Sequence, residues 1–152
     1  MKIDDFDIAI LNLVQDNAQL KSESIAESIG LSPTACQRRL RRLREDGAIA
    51  SEIAVIDPSI VGGRVTMIVQ VVLERGGSHT VDAFKRKMRE APEVQQCYYV
   101  TGEYDFILLV TARDIADYEQ LTRRIFFENS QIQKFHTIVT MENVKVGLGI
   151  PL

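Results

Sequence analysis

The densest group of functional side chains in this sequence is a run of five arginines. Residues 38–44 read Arg-Arg-Leu-Arg-Arg-Leu-Arg, and no acidic residue interrupts them. Guanidinium groups bind phosphates and guanine edges through paired hydrogen bonds, so such a run suits DNA binding. A solvated helix face is the alternative explanation, because charge runs are common on exposed helices.

The arginines belong to the third of three predicted helices. Asp4 is expected to cap the first helix, Ser22 or Ser24 begins the second, and Gly30 ends the second in a left-handed conformation. Ser32 and Pro33 are typical of a helix start, and Gly47 ends the third helix. A short helix, a turn of about four residues and a longer helix together form a helix-turn-helix.

The third helix has two faces. Cys36, Leu40 and Leu43 recur at helical spacing and are predicted to point inward. The polar side chains point outward, and we predict that Ser32, Thr34, Gln37, Arg38, Arg41 and Arg42 contact DNA. Arg39 is expected to contact DNA or to form an intramolecular ion pair. A three-helix packing unit with a charged face remains the alternative.

A change of pattern separates two predicted domains. Residues 48–56 resemble a strand, which is where a winged helix-turn-helix places its wing, and Pro58 and Gly62-Gly63 follow. We therefore predict a winged helix-turn-helix domain over residues 1–60 and a second domain over residues 61–152.

The second domain is predicted to be ferredoxin-like, which makes the whole chain α+β. Strands are expected at residues 65–73, 94–101, 104–112 and 132–144, with helices beginning at Ser78 and Asp114. This β-α-β-β-α-β order gives one four-stranded antiparallel sheet with both helices on one face. Residues 106–110 are all apolar, although successive residues of a strand point to opposite faces of the sheet. A second subunit is therefore expected to cover the sheet face that carries no helices.

The turn at residues 102–105 reads Gly-Glu-Tyr-Asp and has two explanations. It is either a tight hairpin turn or a ligand site. In a ligand site, the turn amides would hold a carboxylate, and Asp105 or Glu103 would neutralise an ammonium group. The ring of Tyr104 would cover the ligand's side chain.

Composition and motifs exclude several other classes of protein. The chain has 152 residues and a formal net charge of −3, so DNA binding must depend on a local patch. The longest apolar run has five residues, far below the roughly 20 of a membrane helix, and the acids at Asp4 and Asp5 lead us to expect no signal-peptide core at the start. Two cysteines are too few for a disulfide framework. No nucleotide-binding, metal-binding or nucleophile motif occurs, so we predict a cytosolic protein without catalytic residues, metal or cofactor.

The chain resembles the Lrp/AsnC family of feast/famine transcription regulators over essentially its whole length. The matching pieces are Gly30-Leu31-Ser32-Pro33-Thr34 with Cys36, Arg39-x-Arg41-Arg42-Leu43, Gly47-x-Ile49, Thr101-Gly102-Glu103-Tyr104-Asp105, Thr137 and Val139-x-Met141-Glu142. The resemblance implies dimers or octamers built from four dimers, which bind DNA and sense an amino acid between effector domains.

Under this resemblance, the effector lies near Gly102, Glu103, Tyr104, Asp105 and Thr137. Phe135 stands where some members carry a hydroxyl residue, and we expect it to narrow the pocket toward a small or apolar amino acid. The alternative function is a small-molecule-sensing or enzymatic ferredoxin-like domain whose helical part only mediates assembly.

Overall fold

The computed structural model describes residues 2–152, which divide into two compact units. The first unit comprises residues 2–55 together with Lys145–Leu152, and the second comprises Ile56–Val144. The sequence prediction placed residues 145–152 in the second domain. They group with the helices because the Gln15 side chain accepts from the backbone N–H of Ile150 and donates to its carbonyl, at 3.0 and 2.9 Å.

Three helices form the first unit: α1 (Asp5–Asp16), α2 (Ser22–Ile29) and α3 (Pro33–Glu45). The predicted caps of α1 and α3 are confirmed, since Asp4 accepts from the backbone of Asp7 and Ser32 from that of Ala35. Gly30 ends α2 with a φ of 71°, the left-handed conformation that favours glycine. The start of α2 at Ser22, one of the two predicted positions, is confirmed, and Lys21 precedes it without a side-chain cap.

The core of the first unit contains the predicted inward stripe of α3. Its buried residues are Ile10, Val14, Ile25, Ala26, Cys36, Leu40 and Leu43. The predicted wing strand is absent, because residues 50–57 pair with no strand in the described part of the chain. Val55 is 86% exposed there, and Ile53 and Ile56 are also exposed. An extended segment becomes a strand only when a neighbour takes up its backbone hydrogen bonds.

The second unit has the predicted element order. It contains β1 (Val65–Leu73), α4 (Gly77–Glu90), β2 (Val94–Tyr99), β3 (Phe106–Ala112), α5 (Ile115–Thr122), a π-helical turn (Arg123–Phe127) and β4 (Ile132–Val139). The sheet order is β2-β3-β1-β4, and every neighbouring pair is antiparallel. Asp114 caps α5 as predicted, whereas Gly76, not Ser78, precedes α4.

The two faces of this sheet have different environments. On one face, Met67, Val69 and Val71 of β1 are buried against Phe84 of α4 and Leu121 of α5. The opposite face carries half-buried or exposed side chains, which include Ile68, Val72, Tyr98, Ile107, Leu109 and Ile138. No described element of this unit covers that second face, which is largely apolar.

Two further features concern membranes and metals. Among the described helices, none has the length and apolar character needed to cross a lipid bilayer. Within residues 2–152, histidine, cysteine and acidic side chains do not gather in threes at a possible metal site. Cys36 is a buried thiol and Cys97 an exposed one, and neither forms a disulfide.

Candidate nucleic-acid interface and effector site

The exposed face of α3 presents four of the six predicted DNA-contacting side chains without a buried partner. Thr34, Gln37, Arg38 and Arg41 are all exposed. Arg38 has no ion-pair partner among residues 2–152, and Arg41 pairs with Glu45 one helical turn away at 2.7 Å. Both members of that pair are largely solvated, so Arg41 remains available to an incoming phosphate.

Ser32 is exposed, but its hydroxyl already has a structural role. Its Oγ accepts a 3.2 Å hydrogen bond from the backbone N–H of Ala35 and so caps α3. Pro33 has no N–H, so the two other free amides at this helix end, those of Ser32 and Thr34, have no side-chain cap of this kind. The structure therefore places Ser32 beside the predicted interface, with its hydroxyl committed to the helix.

Arg39 and Arg42 turn toward α1 and meet a buried acid. The Asp7 carboxylate is 0% exposed; its Oδ1 accepts from Arg39 at 2.8 Å and its Oδ2 from Arg42 at 2.5 Å. The intramolecular alternative for Arg39 is confirmed. Arg42 was predicted to point outward and does so only in part: its side chain is 43% exposed, while its Nη2 pairs with Asp7 and its Nε is buried.

A second acid completes this ionic cluster. Asp4 also accepts from Arg39, at 2.8 Å, and the Arg39 guanidinium lies 5.6 Å from the centre of the Phe6 ring. The hydrogen bonds from Arg39 to Asp7 and then to Asp4 raise the pKa of Arg39 above its usual value. The pKa of Asp4 is lowered, first by the N–H of Asp7 and then by Arg39.

The sequence analysis missed the role of Asp7, although a signal was present. Asp7, Ile10 and Val14 follow one another at helical spacing, and all three are buried. An acid within an apolar stripe indicates a buried cationic partner, because an unpaired buried carboxylate is very costly. The arginine-rich helix supplied two candidates for that partner.

The Gly-Glu-Tyr-Asp turn joins β2 and β3 and is anchored to β1. The Asp105 Oδ2 accepts a 2.7 Å hydrogen bond from the N–H of Leu73, and the Asp105 N–H donates to the carbonyl of Val71 at 2.9 Å. Gly102 has a φ of 126°, which only glycine adopts without strain. The turn thus forms a hairpin connection between β2 and β3, and one oxygen of Asp105 has no partner among residues 2–152.

The other side chains of the turn remain open to solvent. Gly102 and Glu103 are exposed, Tyr104 is half-buried, and Glu103 has no ion-pair partner among the described residues. Exposed backbone amides can bind the carboxylate of an amino acid, and an unpaired carboxylate beside them can bind its ammonium group.

Thr137 and Phe135 lie away from this turn within one chain. Thr137 pairs with Val69 on the β4 side of β1, whereas the turn lies on the β3 side. The Thr137 hydroxyl is 2.5 Å from the Tyr118 hydroxyl, whose pKa is raised by burial. Phe135 packs against Phe126 and Phe127 at 4.8 and 5.3 Å, so it lines a different cleft, of about 350 Å³.

Comparison with known protein families accounts for both units. The Lrp/AsnC ligand binding domain matches residues 66–149, and a winged helix-turn-helix DNA-binding domain matches residues 3–50. An uncharacterized HTH-type transcriptional regulator of Sinorhizobium fredii is 51% identical over 100% of this chain and 90% of its own length. The leucine-responsive regulatory protein of Haemophilus influenzae is 31% identical over 94% of this chain and 86% of its own length.

Solved structures agree with these sequence matches. An AsnC family transcriptional regulator from Agrobacterium tumefaciens superimposes with a TM-score of 0.91 at 30% identity, covering 98% of this chain and 97% of that chain. A transcriptional regulator from Neisseria meningitidis, crystallised as its L-Met complex, has the same TM-score at 25% identity, with 99% and 97% covered. From its two matched domains and these relatives, the chain belongs to the Lrp/AsnC family of DNA-binding transcription regulators.

Proposed function

We propose that the protein binds specific DNA sequences through α3. The observation that carries this proposal is the exposed face of Thr34, Gln37, Arg38 and Arg41 on a capped helix of a helix-turn-helix. Glutamine and arginine can each form two hydrogen bonds with a base edge in the major groove. We assign base contacts to Gln37 and Arg38, and phosphate contacts to Thr34, Arg41 and the amides at the Ser32 end of the helix.

The test is binding to the DNA directly upstream of the gene that encodes this chain. Exchanging Gln37 for Ala should change the preferred sequence, because one base contact contributes about 1–3 kcal/mol of discrimination. Exchanging Arg41 for Gln should weaken binding to all duplexes alike. If both variants bind the upstream DNA as the wild type does, α3 is not the interface.

We also propose that an amino acid is the effector and binds at the Gly-Glu-Tyr-Asp turn. Support comes from the exposed Gly102 and Glu103, from the remaining oxygen of Asp105, and from the L-Met complex of the Neisseria regulator. The turn amides would take the carboxylate, Glu103 or Asp105 the ammonium group, and Tyr104 would cover the side chain.

Thr137 remains in this proposal as a hydrogen-bonding group from β4. A hydroxyl offers one donor and two acceptor positions, so its bond to Tyr118 leaves capacity for a ligand. Because β1 separates Thr137 from the turn, a pocket that uses both needs residues from a neighbouring effector domain. This arrangement would couple effector binding to the packing of subunits, and so to the spacing of DNA-binding domains.

A melting-temperature screen over the common amino acids would test the effector proposal, because a ligand that binds the native state raises apparent stability. Calorimetry would then compare the wild type with E103Q and D105N for any amino acid that gives a shift. Undiminished binding by both variants would place the site elsewhere. No binding at millimolar concentration by the wild type would mean that the turn is only a hairpin.

We further propose that the protein is a homodimer that assembles into an octamer. The uncovered apolar sheet face supports the dimer, since two such faces packed together would bury Ile68, Ile107 and Leu109. The octamer follows from the family alone. Light scattering at micromolar concentration tests both states: L109K should produce monomers, and a monomeric wild type would contradict the proposal.

As a regulator of this kind, the protein would act on DNA in the cytoplasm and would catalyse no reaction. The relatives are transcription regulators, which supports this assignment. The alternative, an assembly role for the helices alone, predicts no salt-dependent retardation of DNA in a gel.

A further inference from the structure

The carboxylate of Asp7 links α1 to the arginine-rich helix. Its side chain is 0% exposed, and each of its oxygens accepts a hydrogen bond from a different arginine of α3. Its Oδ2 also accepts from the backbone N–H of Asp4, at 3.2 Å. Asp7 is thus held by α1 itself and in turn holds Arg39 and Arg42.

Arg39 and Arg42 reach solvent less than Arg41 does. The side chains of Arg39 and Arg42 are 22% and 43% exposed, whereas that of Arg41 is 79% exposed. Arg44, which is 46% exposed, pairs with Glu52 at 2.8 Å. The Nε of Arg42 is buried and has no hydrogen-bond partner among residues 2–152, so this edge of the guanidinium faces the protein. Only the outer edge of the Arg42 guanidinium faces solvent.

Asp7 completes the capping box of α1, but that role uses only the bond from the Asp4 N–H and does not require the two arginines. Asp7 continues the buried stripe of Ile10 and Val14, where an apolar residue would avoid the cost of burying a charge. A buried ion pair instead selects one arrangement of the groups that it joins, because any shift leaves a charge without its partner. Here the groups joined are the first helix and the predicted DNA-reading helix.

Resting on the proposed role of α3 in DNA binding, we infer that Asp7 is a positioning residue for that helix. It fixes α3 through Arg39 and Arg42, so Arg42 makes no phosphate contact. Contact with the DNA backbone and bases is left to the solvated arginines, Arg38 and Arg41. Four of the five arginines are therefore divided by function: two hold the helix in place and two face the DNA. The fifth, Arg44, pairs with Glu52.

The number of phosphates that a protein neutralises can be counted from the salt dependence of its DNA affinity. Each contact contributes about 0.9 to the slope of log affinity against log salt concentration. This slope separates the two roles, because an arginine that only positions the helix changes affinity without changing the slope.

The test measures the affinity of the full-length chain for the upstream DNA and for a random duplex of equal length, across a potassium chloride series. R41Q and R42Q form a matched pair that removes the same charge from neighbouring positions of one helix. R41Q should reduce the slope by about 0.9, and R42Q should leave it at the wild-type value while weakening the preference for the upstream DNA. Circular dichroism confirms that each variant is folded.

The D7N substitution, which lies on α1, tests the same inference. Asparagine is close to aspartate in shape but lacks its charge, so Arg42 would be released toward the DNA. The slope should then become steeper, by up to about 0.9, while the preference for the upstream DNA decreases. If R42Q does not fold, the salt slope of D7N alone tests the inference. If D7N does not fold, the salt slope of R42Q alone tests it.

The possible failures are distinguishable. A loss of slope in R42Q equal to that in R41Q would place Arg42 on a phosphate and overturn the inference, with DNA binding by α3 intact. An unchanged slope in both R41Q and the R38Q/R41Q double variant would remove α3 as the interface, and the inference with it. An unchanged or smaller slope in D7N would show that Asp7 does not withhold Arg42.

Discussion

The carboxylate of Asp105 accepts a 2.7 Å hydrogen bond from the backbone N–H of Leu73. This bond ties the turn before β3 to the end of β1. The Asp105 N–H adds a second bond, to the carbonyl of Val71. The turn is consequently held to the sheet through the end of β1.

We predict that D105A lowers the free energy of unfolding by about 1–3 kcal/mol, because the Leu73 N–H loses its charged acceptor. Chemical denaturation without added amino acid measures this loss. E103A is the matched control, and since Glu103 is exposed and unpaired it should change stability by less than about 0.5 kcal/mol. Equal losses in the two variants would contradict the structural role of Asp105.

The hydroxyl pair of Tyr118 and Thr137 joins α5 to β4 at 2.5 Å. T137V keeps the shape of the side chain but removes this hydrogen bond, and we expect a loss of about 1 kcal/mol in the free energy of unfolding. T137S retains the hydroxyl and should retain the bond. If T137V were as stable as T137S, the hydrogen bond would contribute nothing measurable.

The ion pair of Arg113 and Asp117 gives a prediction for acid conditions. The Arg113 side chain donates to Asp117 at 2.7 Å, and together with the Arg113 N–H it lowers the pKa of Asp117 to about 2. A group with a lowered folded-state pKa stabilises the protein above its unfolded pKa, about 4, and loses this effect as the pH falls toward the folded value.

Melting temperatures of the wild type and D117N, measured over a range of pH, test whether the stabilisation from Asp117 is lost as the pH falls. The wild type should be more stable by a constant margin above about pH 4, and the margin should shrink as the pH approaches 2. A margin that stays constant down to pH 2 would show that Asp117 is not held ionised by Arg113.

The order and type of most elements could be predicted because they follow from local patterns. The stripe of Cys36, Leu40 and Leu43 specified the inward face of α3, and residues such as Asp4, Ser32 and Asp114 marked helix starts through hydrogen bonds within four residues. Because these interactions join residues within about one helical turn, they can be predicted from the local sequence alone. The match with β1 at Val65–Leu73 has the same origin, since a β-branched run favours a strand.

The features that the sequence could not predict concern contacts between distant residues. Residues 48–56 have the composition of a strand, but composition does not supply a partner, and they are unpaired in the structure. Arg42 was predicted to be outward because its helical position alone allows it, whereas Asp7 is 35 residues away. Thr137 was placed beside the turn from family resemblance, and only the register of β4 on β1 shows where it lies.

The contact between Gln15 and Ile150 is another long-range feature, and it yields a prediction for the C-terminal segment. The Gln15 side chain forms hydrogen bonds with both the N–H and the carbonyl of Ile150. Q15A should speed hydrogen exchange of the Ile150 amide several-fold, because one exposed hydrogen bond contributes about 0.5–1.5 kcal/mol. N12A removes a neighbouring partner of Gln15 and should leave that exchange nearly unchanged. Equal exchange in Q15A and the wild type would contradict the contact.

The central claim, DNA binding by the exposed arginines of α3, is tested most directly by reversing their charge. The measurement is the affinity of R38E/R41E for the upstream DNA at fixed salt, with circular dichroism to confirm folding. R86E/R89E is the matched control, because it reverses two exposed arginines on α4 and changes the net charge equally. We expect R38E/R41E to lose specific binding and R86E/R89E to keep it. Specific affinity retained by folded R38E/R41E, or lost equally in both variants, would contradict the claim.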